Sequence, residues 1–508
     1  MSIKKNSGSV PENTNRQAVY TAEELEAMPA EDFAFVQDDS ELHDQKFETK
    51  PVGYFMDAMS RFVKNRSSVI GFAVIVVLLL FAVIVPFISR YDMNDRDVNY
   101  AFALPKSELF AKLGIWDGCS TSTVNQQTYD KYEAIPGALV KVISKTETSG
   151  SRRGGSNSEY KIKIDSYAKV GYIYDTISVS AYEQAREYEL ETGIQLFYPL
   201  IDDEQVNAIA YRNDANAWYL TDEKGIAQRT ADGSLQDIYL RDDNGDPVYC
   251  RYTSSGSQVY VRILYSEWYR YQNGYYASFL FGADASGYDI MTRLANGARL
   301  SIILSIIVSF FDLFFGVIIG ALEGYYGGKV DLIVERIKDF LWEVPDMVIF
   351  SLFQLYCADK VGPVFSLFFA FVFFGWIGTS STVRAQMYRY KGQEYVLAAR
   401  TLGAKDRRLI FRHILPNGIG YIITSSVLAI PGVILSEASM SYLGIVNLQS
   451  DSMTSIGTML NNGQSTLSTY PHCVFFPAVF IALLLISFNQ FGNGLRDAFN
   501  PALRGSEN

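Results

Sequence analysis

Stretches almost free of charge alternate along this chain with stretches as polar as any soluble domain. The first apolar run, SSVIGFAVIVVLLLFAVIVPFIS over residues 67–89, is long enough to span a hydrocarbon core as a helix. Further runs predict helices over 300–322, about 332–357 and 364–378. IGYIITSSVLAIPGVILSEASMSYL and VFFPAVFIALLLISFNQFG complete a set of six crossings. Arg61, Lys64 and Arg66 stand directly before the first run, so the positive-inside rule places the N-terminus in the cytoplasm. The run is too long and too late in the chain for a cleaved signal peptide. The same rule marks the polar loop 379–417 as cytoplasmic: eight arginines and lysines crowd it, opposed only by Glu394 and Asp406. An even number of crossings leaves both termini inside.

Hydropathy collapses between residues 92 and 280. ALVKVIS, YKIKIDSY, VGYIYDTISV, QDIYLRD, PVYCRYT and QVYVRILY alternate apolar and polar positions, and Gly, Asn, Asp and Ser clusters such as DDNGDP and SGSRRGGSNS separate them. That pattern predicts strands and hairpin turns, with AYEQAREYELETG as one amphipathic helix. An outward-going first helix puts this segment outside the cytoplasm, where it is large enough to be a domain of its own. The tyrosines and tryptophan of YSEWYRYQNGYY, just before a membrane helix, read first as an interfacial aromatic belt. The chain therefore divides into a flexible tail (1–60), a first transmembrane helix (61–91), an extracytoplasmic insert (92–280) and a membrane domain (281–508) with a cytoplasmic loop at 384–417.

Composition narrows the choices of chemistry. A net charge of −11 without a long basic run excludes nucleic acid as the natural partner. Cys119, Cys250, Cys357 and Cys473 follow no metal-ligand spacing. Cys119 and Cys250 both fall in the external segment, which leaves a disulfide between them open. Gly327-Gly328-Lys329 is not a phosphate loop, because Glu323 and Val330 stand where glycine and a hydroxyl residue are required. Asp312 sits mid-helix in the membrane, where a carboxylate costs about 3 kcal/mol on insertion scales. It reads either as a pathway or proton-linked residue or as a hydrogen-bonded group facing the bundle. Glu437, near a helix end, reads as an interfacial structural carboxylate ahead of a substrate ligand. Arg336 and Asp339 are spaced as an intrahelical pair.

The densest signal lies in EYVLAARTLGAKDRRLIFRHILPN. Glu394 opens a short helix, Ala398 and Ala399 are small, and Gly403 is a natural stop. A second helix follows from about Lys405 to Leu415, with Pro416 closing it. Small residues permit close approach by another protein, and arginines supply charge at the rim, so the stretch reads as a docking element.

This stretch resembles the EAA loop of ABC importer permeases: Ala398, Ala399, Gly403, Leu415 and Pro416 fall in register, with Leu397 in place of the Glu and His413 in place of the Ile. Arg400 and the Arg412–Asn417 run resemble the peptide-importer branch. FGADASGYDIMTRLANGARLSI, GYYGGKVDLIVERIKDFLWEVP, EASMSYLGI and FNQFGNGLRDAFNP are similar to further motifs of that branch, in the same order. The resemblance implies an all-α polytopic membrane protein of the type I importer permease fold, C-type subunit of an oligopeptide, dipeptide or nickel importer, carrying an unusual β-rich α+β insert. It implies Glu394, Tyr395, Ala398, Ala399, Arg400, Gly403, Ala404 and Arg408 as the ATPase-coupling residues, and Asp312 and Glu437 are the candidates for the pathway. Its implied partners are a second, B-type permease, two cytoplasmic ATPases that bind the ATP and magnesium, an extracytoplasmic peptide-binding lipoprotein and the lipid of a bacterial plasma membrane. On this reading the chain is a transport subunit, not an enzyme, and needs no cofactor. A non-transporting receptor with an external ligand-binding domain is the competing class.

Overall fold

The computed structural model describes residues 54–148, 157–206, 213–223, 225–450 and 453–499. The expected tail over 1–53 and most of the SGSRRGGSNS turn lie outside these residues. Helix α1 (Tyr54–Lys64) begins inside the stretch expected to be flexible. It is ordered by burial: Ala58 and Phe62 pack against Ala498 and Leu495 at the far end of the chain. Asn65 then caps α2 (Arg66–Ile88), accepting the Ser68 N–H, and α2 is the first span.

The insert holds two antiparallel sheets. In the first, β1 (Cys119–Asn125) leads through α3 (Gln126–Glu133) to β2 (Leu139–Thr148) and β3 (Asn157–Asp165), with β3 central. In the second, β4 (Tyr172–Ser178), α4 (Val179–Thr192), β5 (Phe197–Tyr198) and β6 (Cys250–Tyr252) surround β7 (Gln258–Leu264). β7 buries Val259, Val261 and Ile263 against Ala185 of α4 and Trp268. Cys119 and Cys250 thus belong to different sheets, and among the described residues all four cysteines are free.

QDIYLRD is not a strand. Its residues make isolated bridges (Tyr219 with Asp237, Ile201 with Tyr239, Arg241 with Pro247) within a set of tight turns. Leu220, Gln228 and Gln236, eight residues apart, close a ring of backbone hydrogen bonds: each N–H finds the carbonyl of another member at 2.8–3.1 Å. Leu200, Leu240 and Val248 close a second ring at 2.8–2.9 Å. The turns between them reverse at Gly225, Gly233 and Gly245, all at positive φ. These rings satisfy backbone groups without a continuous ladder.

One buried cation secures this region. The Arg262 side chain donates to the Ala215 carbonyl at 2.7 Å and the Pro199 carbonyl at 3.0 Å, and lies 3.9 Å over the Tyr172 ring. Arg262→Met would leave both buried acceptors unpaired, at about 1–3 kcal/mol each. Limited proteolysis is therefore expected to cut within 199–248 much faster in that variant, with the membrane core intact.

The expected aromatic belt is largely core. Helix α5 (Tyr265–Asn273) turns Trp268 into the second sheet's interior, while Tyr265 and Tyr269 pack on Tyr100 and Tyr275 packs on Tyr91 in one cluster. Spacings of three and four residues bury both faces of one short helix, which proximity to a span did not reveal. Tyr167 donates to the Leu104 carbonyl and accepts the Phe279 N–H, fastening together the two ends of the insert. Burial pushes the hydroxyls of Tyr100 and Tyr167 well above the ordinary phenol range.

Helix α6 (Ile290–Tyr326) starts ten residues earlier than the apolar run suggested, capped by Asp289 on the Thr292 N–H at 2.8 Å. Its polar first turns hid it from hydropathy. The segment expected as one crossing at 332–357 is two helices, α7 (Gly328–Trp342) and α8 (Asp346–Val361), bent by 78°. Pro345 accounts for the break, since the residue before a proline is driven out of the helical region. Helix α9 (Pro363–Tyr390) outruns its expected end at Gly378, because Val383 and Met387 keep an inner face buried through the polar stretch. After α10 (Glu394–Thr401), a helical lead-in from Asp406 and a π-helical turn (Leu409–Ile414) run without a stop into α11 (Leu415–Tyr442). Pro416 does not close the second helix: the wider π turn precedes its ring. Helices α12 (Ile456–Gln464) and α13 (His472–Phe499) complete the bundle.

Among the described residues, five helical runs are long and apolar enough to cross a membrane, six if the bent pair is one span. Their central contact is α6 on α9. Gly316, Gly320 and Gly324 form a small-residue stripe there; a Cβ on Gly320 would stand 2.9 Å from the Val383 Cβ.

Candidate coupling site

Helix α10 is presented like a knob. Its inner face is locked: Val396 packs with Leu409, Ile410 and Ile414 of the π turn, and Ala399 and Ala404 turn toward the same cluster. The Ala404 N–H donates to the Ala399 carbonyl at 3.0 Å, folding the exit back under the helix. Gly403 takes φ +82°, and no atom lies within 4 Å of a Cβ built there, so glycine is required by backbone conformation and not by space.

The outer face is bare. Glu394, Tyr395, Leu397, Ala398, Arg400 and Leu402 are exposed, as are Lys405, Arg407 and Arg408 beyond them. Leu402 is 88 % exposed at the tip. Of the residues singled out in the sequence, Ala399 and Ala404 are therefore structural and the others line the outer surface.

Several anchors escaped the sequence reading. The Tyr325 hydroxyl at the end of α6 donates to Asp406 at 2.6 Å, and Arg400 reaches that hydroxyl at 3.4 Å. Asn417 donates to the Tyr395 hydroxyl at 3.0 Å. Burial raises the Tyr395 hydroxyl above its ordinary range and lowers the Lys391 ammonium below its own. Only the doubled tyrosine of GYYGG hinted at these contacts.

Immediately behind the knob lies a charge network joining α6, α7 and α9. Glu323, fully buried, accepts from Lys338 at 2.9 Å and from Ser380 at 3.0 Å. Lys338 also pairs with Glu335. Arg384 grips Asp331 through two hydrogen bonds of 2.5 and 2.9 Å, and Tyr388 donates to the same carboxylate. The three carboxylates lie close enough to share a cation; Lys338 and Arg384 fill that role. Lys391 closes the set on the Gly324 carbonyl at 2.8 Å. Farther out on α7, Arg336 and Asp339 form the expected exposed pair at 3.0 Å.

Asp312 and Glu437 are not brought together. Glu437 is buried between α6, α11 and α12, accepting from Ser301 at 2.7 Å and Ser441 at 3.0 Å. Asp312 lies eleven residues beyond Ser301 on α6, about 16 Å by helical rise. It is buried against Gly375 of α9, with Oδ1 unpaired.

A bundle of apolar helices with a short docking helix on a loop is what an inner-membrane permease component requires. Residues 313–505 match the family described as the binding-protein-dependent transport system inner membrane component, and residues 53–105 match the N-terminal TM domain of oligopeptide transport permease C. The oligopeptide transport system permease protein OppC of Bacillus subtilis is 42% identical over 224 residues, covering 44% of this chain and 72% of the relative. The dipeptide transport system permease protein DppC of the same organism is 38% identical, covering 44% and 69%. OppC of Escherichia coli K12 is 34% identical, covering 45% and 73%. The chain belongs to this ABC permease family and is a multi-pass membrane protein.

Proposed function

We propose that this chain forms half of the translocation pathway of an ATP-driven importer of oligopeptides or dipeptides in a bacterial plasma membrane, with both termini cytoplasmic. A second permease supplies the other half, and two cytoplasmic ATPases, which bind the ATP and magnesium, engage α10. An extracytoplasmic peptide-binding lipoprotein delivers the cargo. No bond in the substrate is broken by this chain, and no cofactor is required in it. The observation that carries the reading is the bare face of α10, set on a rigid inner face that also contacts α6, α9 and the lead-in to α11. A push on such a knob moves several helices together, the requirement of alternating access. Asp312, buried between two of those helices, is a candidate for sensing that movement.

Affinity purification of the tagged chain from its native membrane is expected to recover a second permease and ATPase chains. Gly403→Asp forces a side chain into the left-handed region at about 1–2 kcal/mol and places a carboxylate on the docking face; ATPase recovery should fall while the second permease remains. A chain that purifies without ATPase in either form would move the reading to a receptor.

A further inference from the structure

Where the insert meets the bundle, residues 107–116 form a closed loop. Its neck is held by the Ser107 N–H on the Trp116 carbonyl at 2.8 Å and the Gly118 N–H on the Pro105 carbonyl at 3.1 Å. Lys106 donates from its backbone to the Phe279 carbonyl at 2.9 Å, tying the neck to the segment that leads into α6. Trp116 is held at φ +55° with its ring against Phe281, in the segment that leads into α6, and Phe476, near the insert-side start of α13. The loop therefore sits at the level where the spans end. It shows Leu109 (80 % exposed), Leu113 (73 %) and Ile115 outward, beside the bare Phe87 and Ile88 of the last turn of α2. This is an apolar patch continuous with a surface that faces lipid.

Behind the loop opens a cavity of about 790 Å³. Val85, Ile88, Leu109 and Met291 line one part of it, and Arg90, Arg270 and Lys106 another. Lys106 is committed to Asp165 and Arg270 to the Tyr276 hydroxyl. Arg90 is exposed, lies 5.3 Å over the Tyr275 ring, and has no carboxylate partner among the described residues. Asp289 also lines the cavity; it is 3 % exposed, Thr292 occupies Oδ2, and Oδ1 has no partner. A cavity with an apolar wall, a free guanidinium and an unfilled buried acceptor asks for an amphiphile that carries both a phosphate and a hydrogen-bond donor.

We infer that this cavity binds a phospholipid of the leaflet on the insert side, with its phosphate at Arg90, a headgroup hydroxyl or ammonium at Asp289, and its acyl chains along α2 beneath the inserted loop 107–116. Cavities of this size take a headgroup and the first part of a chain; the remainder lies along exposed α2. The insert would then be anchored in the membrane at a point separate from its covalent connections to α2 and α6. Phosphatidylcholine, whose headgroup has no donor, should bind less well than glycerol or ethanolamine lipids.

The test uses the assembled transporter with the full chain, in nanodiscs of phosphatidylglycerol, phosphatidylethanolamine and phosphatidylcholine, doped with each headgroup on a photoreactive acyl chain. Crosslinks are expected within 107–116 and near Met291, with glycerol and ethanolamine lipids retained over choline after extraction. Arg90→Glu should lower that retention about tenfold. Leu113→Ser alters a side chain that folding leaves exposed, and should lower labelling of the loop in a normally assembled complex. Labelling confined to the spans, retention blind to headgroup and unchanged in Arg90→Glu, or capture of the loop by a protein chain would each overturn the site.

Discussion

Leu402→Asp is expected to abolish ATP-dependent peptide uptake without lowering the thermal stability of the chain. The leucine caps α10 with its side chain in solvent, and only its backbone N–H is engaged, on the Ala398 carbonyl. No buried group loses a partner when it changes, so the fold has no reason to respond. Docking is different. Burying a leucine in a groove is worth about 1.5–3 kcal/mol, and a carboxylate there loses that and adds a desolvation cost. A loss of 1.4 kcal/mol is about tenfold in affinity, so roughly ten- to several-hundredfold weaker ATPase engagement should follow. Uptake in cells, ATPase recovery on purification and a melting curve separate the cases. Normal uptake with Leu402→Asp would put the coupling surface elsewhere, with the exposed Arg407 and Arg408 as the next residues to test. Tyr395→Ala is a poorer probe, because the Tyr395 hydroxyl also receives Asn417 and its loss disturbs the start of α11.

The contrast between Leu402 and Val396 shows what a sequence reading can and cannot see here. Gly403, two alanines and the helix formers around them prescribe a short helix with a stop, and α10 is that helix. Which face turns inward depends on Leu409 and Ile410, and on Tyr325 some seventy positions earlier; spacing alone contains no such information. The same limit governs the membrane helices. Apolar runs located the spans, but hydropathy cut α6 and α9 short, because their polar ends stay helical by burying one face against a neighbour. Pro345 marks a break that the apolar count across 332–357 hides, because that count alone is enough for one crossing. In the insert, β7 alternates in the expected way. β1, with the sequence CSTSTVN, has no apolar alternation and is a strand only because β3 offers a ladder. The turns of the two rings keep little more than a glycine and an aspartate or threonine in common, so the eight-residue repeat of the first ring emerges from backbone hydrogen bonds and not from side-chain pattern.

Lys338→Met is expected to destabilise the chain by about 3–5 kcal/mol, the range for breaking a buried ion pair from one side. Lys338 is 3 % exposed and Glu323 is fully buried. With the ammonium gone, Glu323 keeps the Ser380 hydroxyl on Oε1, while Oε2 has no partner even in the intact network. An uncompensated carboxylate between α6, α7 and α9 must either take a proton or open the junction. Replacing Glu323 by Gln in the same chain removes the stranded charge and should recover most of the lost stability in detergent melting curves. Asp331→Asn, at the partly exposed clamp with Arg384, should cost far less, because solvent screens that pair. The double variant then separates structure from movement. The network ties α7, the first helix of the bent pair, to α6 and α9, the two helices whose Ala321, Val383 and Met387 share a cluster with Val396 of α10. Uptake that returns together with stability would make the ion pair a rivet for the junction. Stability that returns while transport does not would mean that the helices need this charge pair to move as one, and that ATPase closure reaches the pathway through it.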